Sequence, residues 1–274
     1  MPALQTHVQV VQIAAMSSIP WLLHGFSTRG GGVSLVYCGL SSAGDLNLGF
    51  TDADDKANVA ANREHFLRAV TGDPAFPLVT ARQIHSASVK ILTSTDRETE
   101  SLPEPVDGII TAEAGILLGI QTADCIPVLV VDQAQRVVAA FHAGWRGTLK
   151  RVVEGGVGQM RAEFGCKPEN MVAAIGPGIG GCCYRVGEEV RSGFASQFSY
   201  APELFHEVDE GQGKNPYLDL VEANRRQLLD SGLAAAAISG VGECTSCRTD
   251  RYFSYRAERG FTGRMLSVIG VRPA

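Results

Sequence analysis

The chain has 274 residues, 45% apolar and 19% charged, which is enough apolar material to bury a substantial core. Its formal charge of −5 at pH 7 excludes a general basic face for nucleic-acid backbones, and apolar runs such as IPVLVV are far too short to span a bilayer. Seven cysteines, an odd number in a chain too long to need disulfide staples, indicate a reducing compartment, and the N-terminus lacks the basic and apolar pattern of a secretory signal, so a cytoplasmic protein with no membrane anchor is expected.

In chain order, the first clear element is a helix over 51–70, where Val59, Ala60, Phe66, Leu67 and Val70 share one face, with Thr51 as cap and Thr71-Gly72 as stop. Short apolar runs bounded by turn residues follow at 88–92, 108–111, 117–120, 127–131 and 137–141, and read as buried strands. A second helix is expected over 147–164, since Leu149, Val153, Val157, Met160 and Phe164 recur at spacings of three or four before Gly165. A strand at 171–175, helices around 187–198 and 218–230, and a last strand at 264–271 complete the pattern. Strands and helices interleave without strict alternation. The expected class is therefore α/β (or α+β), with a mixed β-sheet covered by helices in three layers and no linker or repeat that would divide the chain.

Three segments place a metal-competent side chain beside an apolar strand: ARQIHSASV with His85, QTADCIPVLVV with Cys125 and VVAAFHAGWRGT with His142. Such strand ends are where open α/β sheets collect ligands. Separations of forty and seventeen residues exclude a local zinc finger, so only the fold can bring the three together. If they meet, two imidazoles and a thiolate suit zinc and leave a fourth position open, as in catalytic sites. The same set could hold copper, for which Met160 is the one nearby axial candidate, although its helical spacing assigns it to the core. Cys125 could also act as a nucleophile with His85 or His142 as base. A non-catalytic zinc-stabilised partner protein is a further reading.

Asp124, next to Cys125 in sequence, is a candidate to orient a ligand or receive a proton, although Asp is also common at strand-end turns. The glycine-rich run 176–181 matches neither a P-loop nor a dinucleotide fingerprint and reads first as a tight turn. Cys244 and Cys247 form a CxxC that no second CxxC or nearby histidine completes. Cys182 and Cys183 are unassigned. The HxE and PCxxC pattern of nucleobase deaminases is absent.

Taken together, HGFSTRGGGVS, LNLGF, RQIHSASV, VDGIIT, QTADCIPVLV, AAFHAGWRGT, AIGPGIGGCCYRVGEEV, YLDLVEANRRQL and YFSYRAERGFTGRMLSVI resemble the laccase-domain family. That family was first labelled multicopper polyphenol oxidase, was later read as purine nucleoside phosphorylases with adenosine deaminase activity, and includes peptidoglycan editing factors. The resemblance runs from about His24 onward, which implies an N-terminal segment, 1–23, followed by one domain, 24–274. It implies zinc rather than copper on His85, Cys125 and His142. It also implies purine nucleosides and inorganic phosphate as substrates, with no nucleic-acid or membrane partner; a monomer is compatible with the sequence. The alternatives it leaves are a copper-dependent polyphenol oxidase and a cysteine hydrolase acting in peptidoglycan precursor editing. Arg29 in STRGGG and Arg146 in HAGWRG resemble pocket arginines of the family, and their guanidinium forks suit phosphate oxygens. Arg256 in FSYRAERG is a further candidate on the same resemblance, although the family more often carries two basic residues where this chain has Arg256 and Ala257.

Overall fold

The computed structural model describes residues 7–38, 44–209 and 214–273. Two six-stranded mixed sheets dominate it. The first runs in spatial order Val10–Val11, Leu22–Ser27, Met265–Val271, Leu117–Thr122, Leu78–Arg82, Ser101–Pro105. The second runs Ile238–Gly240, Met171–Ile175, Ile126–Asp132, Val137–Ala143, Gly108–Thr111, Val89–Ile91. A small hairpin, Phe205–Asp209 with Lys214–Leu218, stands apart from both.

Side-chain alternation explains how the sheets stack. Along Val137–Ala143, Val138 and Ala140 join a buried cluster with Phe26, Val79, Leu118, Ile120 and Ile269 of the first sheet. The intervening Val137, Ala139 and Phe141 pack instead with Val153, Val157, Met160 and Phe194 from helices. Likewise Ile269 faces the second sheet, whereas Leu266 and Val268 face Phe66 and Leu67 of the helix Lys56–Thr71. With both faces covered, these strands need apolar residues throughout, hence the continuous runs in the sequence. The mixed sheet and helical covers are as expected, but the sheet is double, so four layers stand where three were expected.

The helices also start and stop for local reasons. Lys56–Thr71 begins later than expected because Asp55, not Thr51, accepts the Ala57 N–H as cap; the Thr51 hydroxyl bonds to that of Tyr37. Gly72, with φ 86°, ends it. The expected helix over 147–164 is two, Trp145–Leu149 and Val152–Phe164, because Arg151 takes a left-handed backbone with φ 61° between them. Met160 is fully buried in the core. Among the described residues no helix is long and apolar enough to cross a membrane.

His24, on Leu22–Ser27, is 1% exposed, and its Nε2 accepts the backbone N–H of Ile13 at 3.0 Å. Burial pushes its pKa down from 6.5 to about 4, so the fold holds the neutral ring. The unfolded chain then binds more protons as pH falls between those values. Stability is therefore full above about pH 6.5 and drops by about 3 kcal/mol as pH approaches 4. Urea unfolding across this range should show that slope, and His24→Gln should flatten it.

Candidate active site and metal centre

His85 lies on the crossing from Leu78–Arg82 to Val89–Ile91, Cys125 on the crossing from Leu117–Thr122 to Ile126–Asp132, and His142 near the end of Val137–Ala143. The fold brings all three together, with their ligand atoms within 4.8 Å of one another. Cys125 Sγ is 3.7 Å from His85 Nε2, and the two imidazoles meet edge to face at 4.8 Å between centroids.

Asp107, fully buried just before Gly108–Thr111, organises the group. Its carboxylate accepts the backbone N–H groups of Ile84, His85 and Ser86 at 3.2, 2.9 and 2.6 Å, and the Ser86 hydroxyl at 2.7 Å. Three successive amides converging on one anion fix the left-handed backbone of His85, φ 61°, a conformation that ordinarily costs about 1–3 kcal/mol. The same carboxylate accepts from His142 Nδ1 at 2.7 Å, which leaves Nε2 as the nitrogen free for a metal. Burial alone would raise the Asp107 carboxyl, but the bonds from His142 and Ser86 outweigh it and hold it well below the usual range. Burial likewise opposes ionisation of Cys125, yet the neighbouring His142 and His85 bring its thiol down to about 6.

Gly144, which opens the Trp145–Leu149 helix, is needed for space: a Cβ there would lie 2.9 Å from His85 Cδ2 and 3.0 Å from Cys125 Sγ.

The cluster sits in the wall of a cavity of about 800 Å³ whose lining comes from both sheets. Arg63, Arg82, Arg146, Arg256 and Arg264 all line it, and none forms an ion pair with a described residue; Asp124 is the one acidic residue in the lining. Aromatic rings back several of these guanidinium groups: Phe50 lies 4.5 Å under Arg63, Trp145 4.3 Å under Arg146 and Tyr184 5.3 Å under Arg256. Burial lowers the Arg63 pKa, so an anion in the cavity would relieve an unfavourable charge. Thr122 Oγ1 is buried in the lining with no partner, and burial pushes the neighbouring Tyr184 phenol up, keeping it neutral. Gln83 extends the sheet beyond Arg82: its amide donates to the Gln121 carbonyl at 2.7 Å and accepts the Gln121 N–H at 2.8 Å.

Of the arginines singled out from sequence, Arg146 and Arg256 are at the cavity. Asn224 and Gln227 steady the helix that carries Arg146 by bonding the Thr148 hydroxyl and carbonyl. Arg29 is elsewhere, absent from the cavity lining. It pairs with Asp45 and Glu258 and donates to the carbonyls of Tyr37 and Thr249. Glu258 in turn accepts from Ser254 N–H and the Thr262 hydroxyl, so Arg29 positions the loop that carries Arg256. Asp124 lines the cavity, but both its oxygens are committed: Oδ1 to the hydroxyls of Thr245 and Ser254, Oδ2 to the backbone N–H of Arg256, each at 2.7 Å. That makes it an anchor for the loops beside Cys125 rather than a free proton acceptor.

The profile of the family described as multi-copper polyphenol oxidoreductase laccase matches residues 23–272. The chain belongs to that family. Among its relatives are purine nucleoside phosphorylase YlmD of Geobacillus stearothermophilus, 36% identical over 90% of this chain and 89% of the other, and purine nucleoside phosphorylase of Deinococcus radiodurans, 40% identical over 90% and 88%. The crystal structure of YlmD from Geobacillus stearothermophilus superposes with a TM-score of 0.83, covering 98% of this chain and all of the other at 32% identity. The Bacillus licheniformis hypothetical protein YfiH gives the same TM-score at 31% identity, over 92% of this chain and 93% of that one.

Sequence reasoning did not single out Asp107, Arg63, Arg264 or Tyr184 for the site of this family member. Asp107 carried the clearest signal, a carboxylate set directly before a wholly buried strand. Asp107→Asn keeps the shape but removes the charge and turns an NH2 group toward at least one backbone N–H, which cannot accept from it. It should weaken metal binding by about 10–100-fold, read by competition with a chelator, while circular dichroism still reports a folded chain.

Proposed function

We propose that this chain is a metal-dependent purine nucleoside phosphorylase that cleaves adenosine, inosine and methylthioadenosine with inorganic phosphate, with deamination of adenosine as a second activity. The observation that carries this reading is the pairing, in one cavity, of a His/Cys/His cluster with five arginines whose guanidinium groups have no carboxylate partner among the described residues. A phosphate-using reaction accounts for both, and it is the activity named for the relatives above. In this reading the protein works in the cytoplasm, as one domain, on small-molecule partners.

The donor set fits zinc. Two imidazoles and a low-pKa thiol meet at one point, a carboxylate holds the far nitrogen of His142, and the side toward the cavity is open. Copper fits less well, because Met160, the axial candidate, is locked in the core. When bound, zinc supplies a Lewis acid and lowers the pKa of a coordinated water.

The protein's own residues do the rest. Arg146 and Arg256 at one side of the cavity, with Arg63, Arg82 and Arg264, hold phosphate by charge and by forked N–H donors. A phosphate oxygen forms the new bond to the anomeric carbon as the bond to the purine nitrogen breaks. The electron pair leaves with the base, which takes up a proton, and the products are the free purine and the 1-phosphate of the sugar, ribose or, from methylthioadenosine, methylthioribose. Negative phosphate beside the ribose stabilises its oxocarbenium character. The neutral Tyr184 hydroxyl and the orphaned Thr122 hydroxyl offer hydrogen bonds to polar edges of the nucleoside. In deamination, water replaces the amino group on the purine and ammonia leaves.

One observation favours a second reading. Asp107, His142 and Cys125 form a chain like an acid–base–nucleophile triad, which would serve hydrolysis through a thiol ester. Chelation separates the two, since a thiol nucleophile needs no metal.

Purified protein incubated with adenosine should release adenine only when phosphate is present, and inosine should appear as the deaminated product. Loss of phosphate dependence would reject the phosphorylase. Chelation should abolish turnover and zinc should restore it; turnover that survives chelation would favour the thiol mechanism. Cys125→Ala should lose the metal of the His85/Cys125/His142 cluster and activity together. Arg264→Ala, by contrast, should raise the KM for phosphate about 10-fold or more while metal content is unchanged, because one charge-assisted contact is worth about 1.5–3 kcal/mol.

A further inference from the structure

A second sulfur cluster lies at the surface behind the cavity, and none of the chemistry above uses it. The strands Met171–Ile175 and Ile238–Gly240 are parallel neighbours at one side of the second sheet, so the chain leaves both at the same end. The turn after the first carries Cys182 and Cys183; the turn after the second carries Cys244 and Cys247. The pairing continues beyond the strands, since Gly178 bridges to Cys244 and the Thr245 N–H donates to the Gly178 carbonyl at 3.0 Å.

The four Sγ atoms all lie within 4.8 Å of one another, with Cys182 and Cys183 at 3.5 and 3.3 Å from Cys247. All four are free thiols, and these separations are well beyond the ~2.0 Å of a disulfide. Four sulfurs each about 2.3 Å from a tetrahedral zinc stand about 3.8 Å apart, so the cluster is already close to the size of that cage. The Gly180 N–H donates to Cys244 Sγ at 3.1 Å, the kind of contact that supports a thiolate bound to a metal.

We propose that Cys182, Cys183, Cys244 and Cys247 bind a structural zinc ion in a closed tetrathiolate site, separate from the cluster of His85, Cys125 and His142. Binding displaces the thiol protons to solvent and involves no change of oxidation state. With four protein ligands there is no open position, which makes the site a clamp rather than a reactive centre. It clamps the back of the cavity wall: Tyr184 follows Cys183 directly, and Thr245, beside Cys244, holds Asp124 Oδ1. A ligand that binds only the folded chain stabilises it.

The test uses the whole 274-residue chain purified under reducing conditions, and it does not depend on the phosphorylase reading. Cys125→Ala/His142→Ala removes two donors of the first site and leaves the four cysteines untouched. This variant should retain one zinc per chain by elemental analysis. Its cobalt form should show the intense thiolate charge-transfer and visible bands of a tetrathiolate. Stripping the zinc should make four more thiols reactive toward an aromatic disulfide reagent. Cys182→Ser/Cys247→Ser should lose one equivalent of zinc and melt at a lower temperature. A Cys125→Ala/His142→Ala chain that holds no zinc, with all four thiols reactive at once or joined in disulfides, would overturn the proposal whether or not the serine variant folds.

Discussion

The buried carboxylate of Asp107 is the constraint on which the site depends. One anion takes hydrogen bonds from three consecutive amides, a hydroxyl and an imidazole. It therefore fixes where the chain turns at His85 and which nitrogen His142 presents, two ligands from segments 57 residues apart in sequence. An isolated charge at that depth would be strongly unfavourable, and here it is tolerated because every lone pair has a donor. Local backbone strain at His85 is compensated by the same bonds. The site's geometry thus rests on the satisfaction of a single polar group rather than on apolar packing alone.

The chain divides these arginines between two kinds of work. Arg29 is spent on structure, caught between Asp45 and Glu258, and its neighbour Glu258 shapes the loop of Arg256. Among the described residues, the guanidinium groups of the five that line the cavity have carbonyls or aromatic rings as partners but no carboxylates. Those contacts orient a guanidinium without neutralising it. A net charge of −5 for the whole chain therefore coexists with a concentrated positive field inside one cavity, which focuses small anions while repelling extended ones.

Much of this was legible in the sequence, and the gaps have physical causes. Strand ends near His85, Cys125 and His142 could be placed because buried strands read as unbroken apolar runs. The same property hid the second sheet: a strand covered on both faces carries no mark of which partner covers which face. Arg29 and Arg63 look alike as isolated basic residues, and only the position of Asp45 and Glu258 separates them. The CxxC of Cys244 and Cys247 appeared incomplete because its other half, Cys182 and Cys183, is a neighbour only through the pairing of Met171–Ile175 with Ile238–Gly240. Helix ends depart from the periodicity where one residue decides them, Asp55 at a cap and Arg151 at a left-handed break.

His85 and Cys125 each stand where the chain passes from the first sheet to the second. An ion held there would act as a rivet through the seam between the two sheets, resisting shear. Arg82 and Arg264 belong to the first sheet's side of that seam, while His142 and the helix of Arg146 belong to the second. The alignment of the two halves of the cavity would then depend on that pin as well as on the apolar packing between the sheets. In such an arrangement a metal held by His85, Cys125 and His142 would contribute to rigidity as well as to any chemistry it supplied.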